Sequence, residues 1–205
     1  MSSKKRAEVQ RQTFWTPLRV VSTFIALALL AAFGVSSCTS NDEKTPVTPN
    51  KPGSSVAGNA LPANVRDSEL RAADGAPIRI SDYSGKVLLV NLWATWCGPC
   101  RIEIPELVKI HKEFQGRGVE MVGLSTENPD ASAQTVRDFV RTFNIDYRVG
   151  WATPEVAVTL MQGTDSIPQS FIINRDGRIV KRFIGFSPAS TPPQLRQALE
   201  DALKS

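Results

Sequence analysis

Hydrophobic residues in the second half of the chain follow two patterns, short continuous runs and runs with helical spacing. Residues 87–93 and 119–125 are nearly continuous apolar runs, which is typical of strands buried on both faces. Between them, apolar side chains recur at helical spacing, namely Ile104, Leu107, Val108, Ile110 and Phe114. This spacing predicts a helix over residues 101–115, so the three segments predict a strand–helix–strand unit.

Further segments show the same two periodicities. They predict a hairpin over residues 70–80, a helix opening at 128–130, a short strand at 147–149, a short helix at 154–161, strands at 169–174 and 178–184, and a last helix from residue 191. The turn Arg175-Asp176-Gly177 joins the last two strands as a hairpin. Strands that alternate with helices and end in an antiparallel hairpin predict an α/β domain with a mixed sheet.

Residues 1–37 have the composition of an export signal. A basic start containing five Lys and Arg residues precedes residues 20–35, which carry no charge. As a helix this run would be ~24 Å long, shorter than the ~30 Å hydrocarbon core, which favours cleavage or a shallow anchor over a stable span. An uncleaved signal anchor is the alternative, because no charge follows before Asp42.

The segment after the leader differs from the rest of the chain. Residues 38–60 are rich in Pro, Gly, Ser, Thr and Asn and show no apolar periodicity, so we predict a flexible tether there. The predicted organisation is therefore an export signal over residues 1–37, a tether over residues 38–60 and a folded domain over residues 61–205.

The net charge of +4 comes from the leader. From residue 61 onward the chain carries seventeen basic and seventeen acidic residues. A domain without a basic excess gives no electrostatic basis for binding nucleic acid. We therefore expect no nucleic-acid partner.

The pentapeptide Trp96-Cys97-Gly98-Pro99-Cys100 carries the clearest chemical signal. It follows a predicted strand and opens a predicted helix, whose unpaired backbone N–H groups stabilise a thiolate at Cys97. We expect Cys97 to attack a disulfide of another protein and Cys100, one turn further on the same face, to resolve the mixed disulfide. Pro99 is tolerated in a first helical turn.

Two other interpretations of the cysteine pair are weaker. A structural disulfide that closes so short a loop would remove little entropy from the unfolded chain. A zinc site needs about four ligands, and besides this pair the chain offers only Cys38 and His111. We therefore predict a redox dithiol and no metal site.

Residues 85–100, followed by Glu103 and by Pro105, Glu106 and Leu107, resemble the membrane-tethered thioredoxin-like reductases of the TlpA/ResA type, within the redoxin group. The resemblance covers residues 61–205. It implies a thioredoxin-like fold, in which helices flank a central mixed β-sheet, with an N-terminal hairpin and a central insertion over residues 129–163. It also implies thiol–disulfide oxidoreductase activity without a cofactor, on disulfide-containing client proteins and with a membrane thiol as electron donor.

The resemblance also implies roles for individual residues. Pro168 matches the cis-proline that faces the dithiol, where the peptide at Ile167 pairs with a client's backbone, and Trp96 offers clients an apolar surface. Glu103 matches an active-site glutamate, a proton acceptor or pKa tuner, although a solvated helix glutamate is the alternative. Asn91 replaces the buried aspartate of thioredoxin and cannot titrate. The dipeptide Gly98-Pro99 accompanies reducing couples in thioredoxin relatives.

The end of the leader carries a second signal. Residues 35–38, Val-Ser-Ser-Cys, resemble the bacterial lipoprotein signal, which implies lipidation of Cys38. The alternative is a spare cysteine near an ordinary cleavage site. Both interpretations place the folded part outside the cytoplasm, attached to a membrane.

The resemblance suggests reduction of exported clients such as apocytochrome c or copper-site assembly proteins. Three other functions are alternatives to this one. The same scaffold can serve as an oxidant or isomerase if its couple is more oxidising. A peroxidase of the peroxiredoxin type carries Thr three residues before the reactive cysteine, and Ala94 at that position argues against this function. A metal-carrying module would need His or Met ligands near the cysteines, and their absence from the neighbouring sequence argues against that function.

Overall fold

The computed structural model describes residues 58–205. Its strands are β1 (Asn59–Ala60), β2 (Val87–Trp93), β3 (Val119–Ser125), β4 (Arg148–Trp151), β5 (Gln169–Ile173) and β6 (Arg178–Ile184). Its α-helices are α1 (Ala63–Arg66), α2 (Gly98–Phe114), α3 (Pro129–Thr142), α4 (Pro154–Met161) and α5 (Thr191–Lys204), and a 3₁₀ helix covers Ile80–Tyr83. Among these residues no helix is long and apolar enough to cross a membrane.

The six strands form one sheet in the order β1-β6-β5-β2-β3-β4. Strand β2 pairs parallel with β3, and β3 pairs parallel with β4. Strand β5 pairs antiparallel with β2 and β6, and β1 pairs antiparallel with β6. The α/β fold with a central mixed sheet flanked by helices is thus confirmed. Strand β4 comes from the predicted insertion and extends the sheet at one edge.

Helices cover both faces of the sheet, and the alternation of side chains along β2 shows which residues face which side. Leu89 and Trp93 belong to a core cluster that includes α2 and α5 residues such as Ile104 and Leu195. The opposite core cluster contains Leu88, Val90 and Leu92 from β2, Val65 from α1, and Val156 and Leu160 from α4. Asn91 therefore points to the α2 side, into an otherwise apolar layer.

The predicted hairpin over residues 70–80 is present only in part. Leu70 and Ile78 exchange two backbone hydrogen bonds of 2.8 Å, but this pair is an isolated bridge. The chain then turns into the 3₁₀ helix, because the Asp82 carboxylate accepts a hydrogen bond from the backbone N–H of Arg79 at 3.1 Å. The prediction of a second strand reaching residue 80 was wrong.

The boundary of the predicted tether also differs from the structure. Asn59 and Ala60 pair with Ile179 and Arg178 and form β1, whereas the composition predicts that both belong to the tether. A Cβ atom at Gly58 would lie 2.3 Å from the Ile179 carbonyl oxygen, so glycine permits this close approach. The export signal, the rest of the tether and Cys38 lie outside the described residues.

Candidate active site

The two cysteines lie where β2 leads into α2. Cys97 is the N-cap of α2, and its sulfur accepts a hydrogen bond from the backbone N–H of Cys100 at 3.2 Å. The two residues form a disulfide. Cys97 is 4% exposed and Cys100 is fully buried. After reduction, the same N–H group and the helix N-terminus would favour a thiolate at Cys97, so the sulfur that reaches the surface is the better nucleophile.

The loop before β5 lies against this sulfur. The Ile167–Pro168 peptide bond is cis, and the Ile167 carbonyl oxygen lies 3.8 Å from the Cys97 sulfur. Trp96 precedes Cys97 directly and is 72% exposed, whereas Trp93 is buried in the core. The structure therefore brings Cys97, Ile167 and Pro168 together, beside the exposed aromatic side chain of Trp96.

Glu103 lies one turn beyond Cys100 and is fully buried. Its carboxylate accepts a hydrogen bond from Asn91 Nδ2 at 2.9 Å and one from the Ser170 hydroxyl at 3.2 Å. Burial raises the pKa of Glu103 to about 7, although the hydrogen bonds from Asn91 and Ser170 lower it in part. A solvated helix glutamate is therefore not what the fold contains, and this carboxyl group can exchange a proton near neutral pH.

Comparison with known proteins identifies the family. Residues 56–199 match the model of the Redoxin family. This chain belongs to the Redoxin family. The match covers the whole site described above, from Asn91 to Ser170.

Two relatives of this Redoxin-family chain are named for thiol–disulfide chemistry. The thiol:disulfide interchange protein HelX of Rhodobacter capsulatus is 32% identical over 166 residues, 79% of this chain and 85% of HelX. The thiol-disulfide oxidoreductase ResA of Bacillus thuringiensis is 29% identical, over 64% of this chain and 69% of ResA. With a Cys97–Cys100 pair in a Redoxin domain, the chain is a thiol–disulfide oxidoreductase.

Solved structures agree on the fold. A thiol:disulfide interchange protein of the thioredoxin family from Chlorobium tepidum is 30% identical with a TM-score of 0.55, and the alignment covers 67% of this chain and 97% of that one. A secreted thiol-disulfide isomerase from Corynebacterium glutamicum has a TM-score of 0.60 at 24% identity, covering 69% and 86% of the two chains. At that identity the second likeness concerns the fold alone.

Gln169 and Arg182 support the cis-proline loop of this Redoxin-family protein, and sequence analysis missed both. The buried Gln169 amide donates hydrogen bonds to the carbonyl oxygens of Thr164 at 2.9 Å and Ser166 at 2.7 Å. The Arg182 guanidinium donates to Gln169 Oε1 at 3.1 and 2.7 Å. Arg182 of β6 is paired with Phe171 of β5, and no local pattern in the sequence identifies Gln169 as its partner.

Glu127 holds the turn before the cysteines and was also missed. Its carboxylate accepts hydrogen bonds from the backbone N–H and the hydroxyl of Thr95, both at 2.8 Å, and from the Ser125 hydroxyl at 3.0 Å. Thr95 lies directly before Trp96. Glu127 therefore fixes the backbone from which Trp96 and Cys97 extend.

The other residues named from the sequence are Gly98 and Pro99 in the active-site turn and His111 on α2. Gly98 and Pro99 form the first turn of α2, as expected for a proline near a helix start. His111 has a partner, since its Nδ1 lies 2.9 Å from Asp146 Oδ1. Residues 58–205 contain no group of three or more His, Cys, Asp or Glu side chains placed to hold a metal ion.

Proposed function

We propose that this protein is a membrane-tethered thiol–disulfide reductase that works outside the cytoplasm and reduces disulfides of exported client proteins. One observation carries the proposal. The Cys97 sulfur sits at the N-terminus of α2, 3.8 Å from the Ile167 carbonyl oxygen, with the exposed Trp96 beside it and a buried carboxyl group one turn below Cys100.

The reaction begins when the Cys97 thiolate attacks one sulfur of a client disulfide. The client S–S bond breaks, its other sulfur leaves as a thiolate, and a mixed disulfide with Cys97 forms. Cys100 then gives its proton to Glu103, and the resulting thiolate attacks the Cys97 sulfur. This step releases the second client sulfur and forms the Cys97–Cys100 disulfide, so two electrons pass from the protein to the client.

The dithiol must be restored by a second exchange in the opposite direction. A membrane thiol carrier supplies the two electrons in our proposal, by attacking the Cys97 sulfur, because Cys97 is 4% exposed whereas Cys100 is fully buried. Glu103 then returns a proton to Cys100. No cofactor takes part, because every electron moves between sulfur atoms.

Client binding uses the surface around the Cys97 sulfur. We assign Trp96 to an apolar contact with residues that flank the client disulfide, and the peptide at Ile167 and Pro168 to hydrogen bonding with an extended client backbone. Apocytochrome c, whose haem-binding cysteines must be reduced before haem attachment, and copper-site assembly proteins are the client classes that we propose on the resemblance to TlpA/ResA proteins.

Measuring the reduction potential of the Cys97–Cys100 couple tests the direction of electron flow. We expect thiol trapping in graded redox buffers to give a value near that of thioredoxin, about −270 mV. A value near about −120 mV would instead identify an oxidant or isomerase that installs or reshuffles disulfides. The Cys97→Ser variant is the control, because it cannot form the intramolecular disulfide.

Attachment to a membrane is tested at Cys38. The basic and then apolar composition of residues 1–37 supports export. We expect the wild-type chain to incorporate a labelled fatty acid and to sediment with membranes, and Cys38→Ser to lose the label. If the wild type carries no label yet sediments with membranes, an uncleaved leader is the anchor and lipidation is wrong.

A further inference from the structure

Glu103 lies over a row of three directly paired residues, one on each of three neighbouring strands of the sheet. Asn91 on β2 is paired directly with Ser170 on β5 and with Gly123 on β3. Directly paired residues project from the same face of a sheet, so this row faces α2. Gly123 has no side chain of its own, and the Tyr147 ring lies 3.1 Å from the place of a Cβ atom there. Asn91 and Ser170 are thus the two polar side chains beneath Glu103.

The hydrogen bonds of this row are arranged for a carboxylate. Asn91 Nδ2 donates to Glu103 Oε2 at 2.9 Å and to the Ser170 hydroxyl oxygen at 3.0 Å. The Ser170 hydroxyl donates to Glu103 Oε1 at 3.2 Å. Both carboxylate oxygens therefore accept a hydrogen bond, and each comes from a different strand. This holds the carboxyl group in place on the Cys100 side of α2.

One atom of the row has no partner. Among the buried side-chain nitrogen and oxygen atoms of residues 58–205, Asn91 Oδ1 alone lacks a hydrogen bond. A buried acceptor without a partner is unfavourable, and the surrounding core cluster is apolar. The arrangement therefore satisfies the Nδ2 end of the amide and leaves the opposite end unsatisfied.

Turning the Asn91 amide by half a rotation changes which state of Glu103 it serves. The oxygen and nitrogen of an amide are nearly equal in size, so the turn requires no repacking. Oδ1 would then face Glu103 and accept a hydrogen bond from its protonated carboxyl group. In both orientations one end of the amide faces Glu103 and Ser170, and the other end has no hydrogen-bond partner. The amide can therefore serve the carboxylate and the carboxylic acid in turn.

We propose that Asn91 and Ser170 are positioning residues for proton transfer by Glu103, with Ser170 favouring the carboxylate and Asn91 serving both protonation states by turning its amide. This rests on the proposed function of Glu103. When Cys100 gives its proton to Glu103, the Glu103 O–H bond forms as the Cys100 S–H bond breaks, and the Asn91 amide turns. When Glu103 later returns the proton to Cys100, the O–H bond breaks as the S–H bond forms, and the amide turns back.

The other titratable groups that face Glu103 are few. Cys100 lies one turn earlier on α2, and strands β2 and β5 contain no titratable residue. Tyr147 faces it from the segment before β4; burial, then the charge of Glu103, raises the pKa of Tyr147, so its phenol stays neutral. Glu120 of β3 is paired with Lys86 at 2.7 Å. A pH limb of the resolving step therefore belongs to Cys100 or Glu103.

The test compares pH profiles of disulfide reduction by the full chain in four forms: wild type, Ser170→Ala, Glu103→Gln and the double variant. Ser170→Ala removes a donor to the carboxylate, so we expect the Glu103-dependent limb to move up by about one pH unit. In the Glu103→Gln background the same substitution should move nothing. Ser132→Ala is the matched control, because it removes a buried hydroxyl that accepts from Trp151 Nε1 at 2.9 Å, in a separate network.

An NMR measurement separates the proposed positioning roles of Asn91 and Ser170 from the proposed role of Glu103 in disulfide exchange. Carbon NMR of the Glu103 carboxyl gives its pKa directly, and nitrogen NMR follows the side-chain amide of Asn91. We expect the amide signal to change as Glu103 titrates in the wild type and to stay constant in Glu103→Gln. An amide signal independent of pH, or an unchanged Glu103 pKa in Ser170→Ala, overturns the positioning roles. If Glu103→Gln reduces disulfides at the wild-type rate, the proposed role of Glu103 in exchange fails, whatever the NMR titrations give.

Discussion

Replacing Cys100 with serine is expected to stop the protein at the mixed disulfide with its client. Cys97 keeps its position at the N-terminus of α2 and still attacks, but no second sulfur remains on the neighbouring turn to release the client. Turnover should fall to the uncatalysed background. Covalent adducts should accumulate on non-reducing gels when the full chain meets an oxidised protein, and intact-mass spectra should show one client per chain.

Cys97→Ser provides the matched comparison. The remaining thiol of Cys100 is fully buried, so this variant should lose turnover equally while forming no adduct. A reductant should release every adduct of Cys100→Ser, because the link is a disulfide. If Cys97→Ser were the variant that captured clients, the assignment of attacking and resolving cysteines would have to be reversed.

Most elements of the fold were predictable because their patterns are local. β3 and α4 begin and end at the predicted residues, since an apolar run bounded by turn residues fixes both ends. The strand β1 could not be predicted this way. Asn59 and Ala60 are exposed and show no periodicity, and they are a strand only because Arg178 and Ile179 offer a free edge more than a hundred residues later.

The site divides in a similar manner. Cys97 and Cys100 could be proposed because their spacing and their place at a helix start are visible in the sequence, and Pro168 because of the resemblance to the TlpA/ResA type. Ser170 was not found, because its role depends on Glu103, which is 67 residues away in the chain. One signal was available: Ser170 is a small polar residue in a strand that is buried throughout, and antiparallel pairing with β2 would set it beside Asn91.

Glu127 and Gln169 were missed for a related reason. Each carries out its role through the backbone of a distant segment, Thr95 for Glu127 and the loop before Pro168 for Gln169. A hydrogen bond to a backbone atom does not depend on which amino acid carries that atom, so the sequence does not reveal it. Side chains that fix backbone geometry near a reactive group therefore have to be read from the structure, even when the reactive group itself is evident.

The buried carboxyl group of Glu103 should make the folded state less stable as the pH rises. Burial raises the pKa of Glu103 from an ordinary value of 4.5 to about 7. The folded state therefore holds the proton more tightly than the unfolded state, and stability is lost as the pH rises from the unfolded value through the folded one. The shift corresponds to about 3 kcal/mol of unfolding free energy, lost by about pH 8.

Glu103→Gln should remove this loss, because glutamine has no proton to release and the Asn91 amide can turn to accept from it. We expect the oxidised variant to exceed the oxidised wild type by about 3 kcal/mol at about pH 8 and to match it at about pH 4, in urea denaturation of the full chain. Parallel stability curves for the two proteins would contradict a raised pKa. A group that lowers stability at neutral pH and is nonetheless present at the dithiol fits a role in exchange rather than in folding, since function often takes precedence over stability at active sites.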